Sequence, residues 1–282
     1  MRPKEYIWKS FDDLDYYFVS WEPEVKPVAV LALLHGLGDH CRRYDNWITQ
    51  FSMNKIATVS FDYRGHGRSD GKRGVINDFD ELTDDTKLLL GKAKELFPGI
   101  PVILYGHSMG GTISMSYCLQ YEELPDLAII TSPWLKLKHP PSVILRLLIR
   151  VASRLFPKIT FSTGLHSDDF SENSEFVMEK ERDELLHNRI SPRLFMEINK
   201  QYLQILKKIK TLNIPMLLMH GKDDPVTDVS GSWEVFNTSV ENVSYKEWSD
   251  AKHHLHNFPG SNEVMDFIIK WIDARIVNRS EA

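Results

Sequence analysis

The sequence predicts an α/β fold: a mainly parallel central sheet covered by helices on both faces, with a helical cap inserted between two halves of the core. Three observations carry that prediction. Short apolar runs of strand length alternate with segments of helical character, the pattern of parallel strands joined by crossover helices. One of those runs, residues 101–105, passes through Gly106-His107-Ser108-Met109-Gly110 into a helix-like segment, which is how a strand–sharp turn–helix unit reads. The alternation then stops from about residue 134 to residue 199 and afterwards resumes.

In order along the chain, residues 5–22 read as two short strands, the aromatic-rich 16–21 being part of an edge hairpin. Residues 27–34 are apolar almost throughout, as a strand buried on both faces must be, and end in His35-Gly36-Leu37-Gly38-Asp39-His40. A helix over 44–53 and a strand over 57–61 follow. Next comes a glycine-rich loop, 62–71, whose Arg64-Gly65-His66-Gly67 reads as a structural turn without chemistry. Residues 81–97 form an amphipathic helix stopped by Pro98-Gly99. After the turn around Ser108, a helix is expected over 113–120 and a buried strand over 127–130. Beyond the insertion, 215–219 and 243–248 repeat the strand signal, and 264–276 reads as a closing amphipathic helix.

The insertion, 134–199, divides the core into 1–133 and 200–282 and shows no strand pattern. Its charge is segregated: Lys136, Lys138, Arg146, Arg150, Arg154 and Lys158 precede a run of acids that starts at Asp168. Pro140 and Pro141 are expected in the first turn of a helix reaching Phe156. Arg146, Arg150 and Arg154, four apart, fall on one narrow stripe of that helix, and nearly all the rest is apolar. Apolar surface edged with positive charge predicts an interfacial helix, resting on membrane or aggregated lipid. The alternative is a helix buried against the rest of the cap or a second copy.

A hydrophobic content of 42% and a charged content of 26% are ordinary for a soluble globular chain, and the net charge of −5 argues against nucleic acid as partner. Cys41 and Cys118 are too few for a disulfide framework. No run is long enough for a signal peptide at the N-terminus or approaches the ~20 apolar residues of a bilayer span. A cytoplasmic protein is expected, with peripheral membrane contact at most.

A serine hydroxyl becomes a good nucleophile only when a base takes its proton, and an acid must hold that base in one tautomer. With Ser108 in the elbow, the acid should follow a late strand, where 221–228 offers Asp223, Asp224 and Asp228. The base should follow the last strand, where 249–256 offers His253, His254 and His256. Backbone amides must face the oxyanion of the intermediate; Met109, opening a helix, and Leu37, between two glycines, are the candidates.

Four motifs carry a family resemblance: His35-Gly36-Leu37-Gly38-Asp39-His40 with Arg43-Tyr44, Asp62-Tyr63-Arg64-Gly65-His66-Gly67-Arg68-Ser69, Gly106-His107-Ser108-Met109-Gly110-Gly111, and His253-His254-Leu255-His256. Together they resemble the monoacylglycerol lipase and lysophospholipase branch of the α/β-hydrolases, from about residue 27 to the C-terminus. The resemblance implies Ser108 as nucleophile, Asp224 as acid and His253 as base, with Asp39, Arg43 and His256 near the alcohol end of the substrate. Asp39 stands where the family usually has Glu. It implies hydrolysis of a lipid ester, foremost a monoacylglycerol. No metal or cofactor is expected, because the histidines are accounted for by triad, turn and headgroup roles. Lysophospholipase activity, using Arg42 and Arg43, or acyl transfer from the same acyl-enzyme remain rivals, as does a catalytically silent binding module. Chemistry that needs an aspartate nucleophile on this fold is excluded by serine at 108.

Overall fold

The computed structural model describes residues 3–171, 173–239 and 241–276. Strands β1 (Lys4–Lys9), β2 (Asp15–Trp21) and β3 (Ala29–Leu34) precede helix α1 (Asp45–Met53) and strand β4 (Ile56–Phe61). Helix α2 (Asp80–Leu96), strand β5 (Val102–His107), helix α3 (Met109–Cys118) and strand β6 (Leu127–Thr131) come next. The insertion holds α4 (Val143–Leu155), a two-residue strand β7 (Phe161–Ser162), α5 (Ser174–Arg182) and a two-residue strand β8 (Arg189–Ile190). The chain then runs through α6 (Pro192–Lys208), β9 (Met216–Gly221), α7 (Val229–Thr238), β10 (Val243–Trp248) and α8 (Ser261–Ile276).

Eight strands form one sheet in the order β1-β2-β4-β3-β5-β6-β9-β10. Every pairing from β4 to β10 is parallel, and β2 alone runs against the rest. The run of apolar residues in β3 has the physical cause expected of it. Val30, Ala32 and Leu34 enter one core layer, while Ala29, Leu31 and Leu33 enter the other. The first layer is closed by Leu82 and Leu89 of α2, Ile113 of α3, Ile198 of α6 and Val235 of α7. The second is closed by Trp47 and Phe51 of α1 and by Val264 and Ile268 of α8. Parallel strands all end at one edge, so the loops after β3, β5, β9 and β10 gather there, where α/β sheets hold their ligands.

Several expectations need correction. Helix α3 begins at Met109, directly after Ser108, rather than at 113; two glycines in its first turn hid it. Both are tightly enclosed: a Cβ on Gly110 would stand 2.3 Å from the Leu34 carbonyl oxygen, and one on Gly111 would stand 3.1 Å from Ile130 Cγ2. Pro140 and Pro141 lie outside α4, whose N-cap is Ser142, its hydroxyl accepting from the Leu145 amide. The insertion does contain strand, though β7 and β8 pair over only two residues each, too few for a period to show. Residues 199 and 200 both lie within α6, which starts with Pro192 behind a Ser191 cap. The turn at Arg64 is structural: its guanidinium is buried in a bidentate contact with Asp85 at 3.0 Å on both oxygens, and Tyr16 donates to the same carboxylate at 2.8 Å.

Candidate active site

Ser108 occupies a backbone conformation with φ 55° and ψ −118°, which L-residues rarely adopt. The fold holds it there by main-chain bonds. The Ser108 amide donates to the Thr131 carbonyl of β6 at 3.0 Å, and its carbonyl accepts from Trp134 and Thr112, each at 3.1 Å. The side chain is therefore presented from the top of β5 independently of what it binds, and it stays 8% exposed at the floor of a cavity.

His253 Nε2 lies 2.9 Å from Ser108 Oγ, and His253 Nδ1 lies 2.7 Å from Asp224 Oδ2. With the Nδ1–H donated to Asp224, Nε2 presents its lone pair to the serine hydroxyl. Asp224 sits in a tight turn after β9. Its Oδ1 accepts from the amides of Val226 at 2.7 Å and Thr227 at 2.9 Å, and its Oδ2 from the Thr227 hydroxyl at 2.8 Å. His220, the penultimate residue of β9, adds Nε2 at 3.1 Å from the same Oδ2 and is fixed by Ser232 at 2.7 Å on Nδ1. Burial by itself would raise the Asp224 carboxyl. The imidazoles of His253 and His220 outweigh it and hold the acid well below the usual carboxylate range. No role was foreseen for His220; its only signal was its place at a strand end four residues before the acid.

The loops after β9 and β10 are stitched to each other. Lys222 donates to the Trp248 carbonyl at 2.8 Å and Asp223 to the Ala251 carbonyl at 3.1 Å. Asp223 thus supplies main-chain contact, and Asp228 caps α7 by accepting from the Ser230 amide at 2.9 Å. Of the three aspartates open in that loop, Asp224 is the one that reaches a histidine.

The loop after β3 passes close beside Ser108: a Cβ on Gly36 would be 3.3 Å from Ser108 Cβ. That approach puts Leu37 in the cavity wall. Met109 is the first residue of α3, so its N–H has no intrahelical acceptor. Gly38, at φ 75°, could carry no Cβ, since His187 O would be 1.9 Å away.

The cavity encloses about 1020 Å³. Leu145, Leu148, Ile149 and Ala152 of α4 and Phe195 of α6 supply apolar wall, and Asp39 and Lys180 supply charge. Among the residues expected near an alcohol group, only Asp39 lines it. Arg43 and His256 are outside the wall, and the reason is packing. The Arg43 guanidinium lies 4.6 Å over the Phe176 ring and 3.8 Å from Glu179, and His256 is stacked on Tyr44 at 4.5 Å. Arg42, the other cation considered for a phosphate, is bound to Asp45 at 2.8 Å and Glu5 at 2.9 Å. Lys180 is not legible as a cavity residue: it stands among acids in sequence, and only the fold turns it to the cavity, its ammonium 3.1 Å from the centre of the Phe170 ring.

Histidines crowd the same place. His107, His253 and His254 all line the cavity and bring one ring nitrogen each within 4.8 Å of one another. Burial pushes His107 and His254 well below the ordinary histidine range, and it pushes His256 down to about 3, so these rings are neutral at neutral pH. The arginines of α4 are elsewhere. Arg146, Arg150 and Arg154 are exposed, and beside them Val143, Ile144 and Leu155 are 72%, 74% and 66% exposed. No described helix is long and apolar enough to cross a membrane.

A mainly parallel sheet with a serine on a strained strand-to-helix turn, hydrogen-bonded to a histidine from beyond the last strand, defines an α/β-hydrolase. The family model described as serine aminopeptidase, S33 (Hydrolase_4) matches residues 25–259, and the chain belongs to that family, in its monoacylglycerol lipase branch. By family it is a carboxylic ester hydrolase. It is 32% identical over 272 residues to the monoglyceride lipase homolog of Monkeypox virus, covering 95% of this chain and 96% of that one. It is 30% identical to an uncharacterized abhydrolase domain-containing protein of Dictyostelium discoideum over 92% of its own length, but spans only 28% of that longer protein. Among solved structures, the monoacylglycerol lipase of Paleococcus ferrophilus superposes with a TM-score of 0.82 at 29% identity, covering 92% of this chain and 99% of that one.

Proposed function

We propose that this chain hydrolyses the carboxylic ester of a lipid, a monoacylglycerol in the first place, through an acyl-enzyme on Ser108. The observation that carries this reading is the unbroken line from Ser108 Oγ to His253 Nε2 at 2.9 Å and from His253 Nδ1 to Asp224 Oδ2 at 2.7 Å, opening into a largely apolar cavity. Ser108 Oγ attacks the ester carbonyl carbon as its proton passes to His253 Nε2. The amides of Leu37 and Met109 stabilise the resulting oxyanion. The carbon–oxygen bond to glycerol then breaks, and His253 returns the proton to the leaving oxygen. Water, activated by the same histidine, releases the fatty acid. Asp224, kept ionised by its neighbours, holds the Nδ1–H tautomer and stabilises the imidazolium. The choice of a monoacylglycerol is supported by the names of the relatives and by Asp39, a hydroxyl acceptor in the wall. Of the two arginines considered for a phosphate headgroup, Arg42 is bound to Asp45 and Arg43 lies outside the cavity wall.

A panel decides between these substrates: a monoacylglycerol, the lysophospholipid with the same acyl chain, and a short soluble ester, each with and without an added alcohol. The expected result is turnover of the monoacylglycerol with release of fatty acid, and labelling of Ser108 by a fluorophosphonate. Turnover of the lysophospholipid alone would replace the headgroup assignment, and an acyl product formed on the added alcohol in place of fatty acid would make the protein a transferase. A chain that neither turns over any ester nor takes the label would be a binding module.

In the same reading, the insertion that starts at residue 134 is the cap and hands over to the core within α6, and α4 is the face that meets lipid. One side of α4 lines the cavity, while Val143, Ile144, Leu147 and Leu155 face outward beside three exposed arginines. Each cation near an anionic lipid surface contributes about 1 kcal/mol. Replacing Arg146, Arg150 and Arg154 together by Glu should weaken binding to anionic vesicles on the order of 100-fold or more in a sedimentation assay. It should also lower the ratio of turnover on vesicle-borne to soluble ester; unchanged sedimentation would refute the lipid face. Such contact is peripheral, and the two buried free cysteines suit a cytoplasmic setting.

A further inference from the structure

We propose that His107, His253 and His254 form a binding site for a divalent transition-metal cation of the Zn²⁺ type, and that the bound cation reversibly switches hydrolysis off. The inhibitory half rests on the role of His253 proposed above; the binding half does not. One ring nitrogen from each histidine lies within 4.8 Å of the others, and the ring centres are 4.9 Å (His107–His253), 4.7 Å (His107–His254) and 5.6 Å (His253–His254) apart. Imidazole nitrogens sit about 2.0–2.1 Å from Zn²⁺ in a tetrahedral site, which puts neighbouring donors roughly 3.4 Å from each other. Modest ring rotations cover the difference.

Two of the three rings carry a nitrogen with nothing else to bind. His107 Nε2 and His254 Nδ1 are buried without a hydrogen-bond partner among the described residues, on side chains 0% and 3% exposed. An unsatisfied buried polar atom is costly, so a ligand that engages both removes a standing penalty. The third ring is already oriented as metal-binding histidines are. Asp224 holds His253 at Nδ1, the carboxylate–histidine arrangement that fixes tautomer and raises donor strength, and Thr131 Oγ1 at 3.1 Å holds His107 at Nδ1. All three histidines face the cavity, which provides the route in.

The donors are nitrogen throughout. Such a set favours Zn²⁺, Cu²⁺, Ni²⁺ or Co²⁺ over Mg²⁺ and Ca²⁺, which bind oxygen. The inhibition follows from one lone pair. When His253 Nε2 donates to the cation it no longer accepts the proton of Ser108, and the hydroxyl is left without a base. No electron is transferred, and removing the cation restores the hydrogen bond.

The test uses the full chain. Micromolar Zn²⁺ should suppress hydrolysis of a short soluble ester and slow fluorophosphonate labelling of Ser108, Mg²⁺ should do neither, and a chelator should restore both. His254→Val, judged against its own metal-free rate, should raise the Zn²⁺ concentration needed by about 10-fold or more. A competing site exists at the rim, where His166, Asp168, Asp169 and Glu181 line a second hollow. Inhibition that persists in His254→Val and disappears in His166→Ala would overturn the proposal in favour of that rim. A second readout does not depend on activity or on how His254→Val folds. Ser108→Ala protein should take up one Co²⁺ per chain with the strong visible absorption of a tetrahedral site. Its absence would overturn the site even if the ester chemistry stands, and its presence in a chain that hydrolyses nothing would leave the site standing while the proposed function falls.

Discussion

Replacing Ser108 with alanine is expected to lower kcat on the preferred ester by about 10⁶-fold, with no comparable change in stability. Without Oγ there is no acyl-enzyme, and His253 is left with only water to activate. What persists is the field of the Leu37 and Met109 amides together with binding, which together retain roughly 10³–10⁴ over the uncatalysed reaction in hydrolases of this logic. The variant should fold because the elbow is clamped through its backbone. Thr131 O, Trp134 N and Thr112 N hold the main chain of residue 108 at 3.0–3.1 Å, and none of them touches the hydroxyl. Alanine also meets the same positive φ as serine, so the conformational strain is unchanged. A rate assay paired with a thermal melt checks both halves. A residual rate within tenfold of the parent, with a normal melt, would put the nucleophile elsewhere.

The reach of the sequence follows from how local each signal is. Strand β3 is legible because burial on both faces demands an uninterrupted apolar run, and the run is there. Ser108 is legible because a strained turn between strand and helix demands glycines at fixed offsets. The acid is partly legible: the loop after β9 is found from the strand before it, but a choice among Asp223, Asp224 and Asp228 depends on which carboxylate meets a ring that arrives from 29 residues further on. The same non-locality hides His107. It reads as one letter of the elbow, and only the fold sets it against His253 and His254. Helix α6 is not legible although it has a Ser191 cap and Pro192 behind it, because the insertion around it has no regular rhythm to frame it. Arg43 and His256 show the limit of motif position: it suggests a place near the alcohol end, whereas the fold sets both outside the cavity wall, Arg43 over the Phe176 ring and His256 stacked on Tyr44.

Asp224→Asn should cost about 10⁴-fold in kcat while leaving the fold nearly intact, and the hydrogen bonds around the carboxylate say why. An amide oxygen placed at Oδ1 still accepts from the amides of Val226 and Thr227, so the turn after β9 keeps its shape. The damage is confined to Oδ2, which accepts from His253, His220 and the Thr227 hydroxyl. An amide NH₂ at that point donates where it should accept. His253 then protonates at Nε2 and turns a hydrogen toward Ser108 in place of a lone pair, so the hydroxyl faces a donor and stays protonated. His220 meets the same donor, but its other nitrogen is bonded to Ser232 and its ring can exchange tautomers without consequence for the chemistry. The loss should therefore appear in kcat with little change in KM, and it should shrink as pH rises and hydroxide begins to replace the missing base. Combined with Ser108→Ala, it should add almost nothing, because the two residues act on one proton transfer. Additive losses in the double variant would mean that Asp224 contributes through something other than His253.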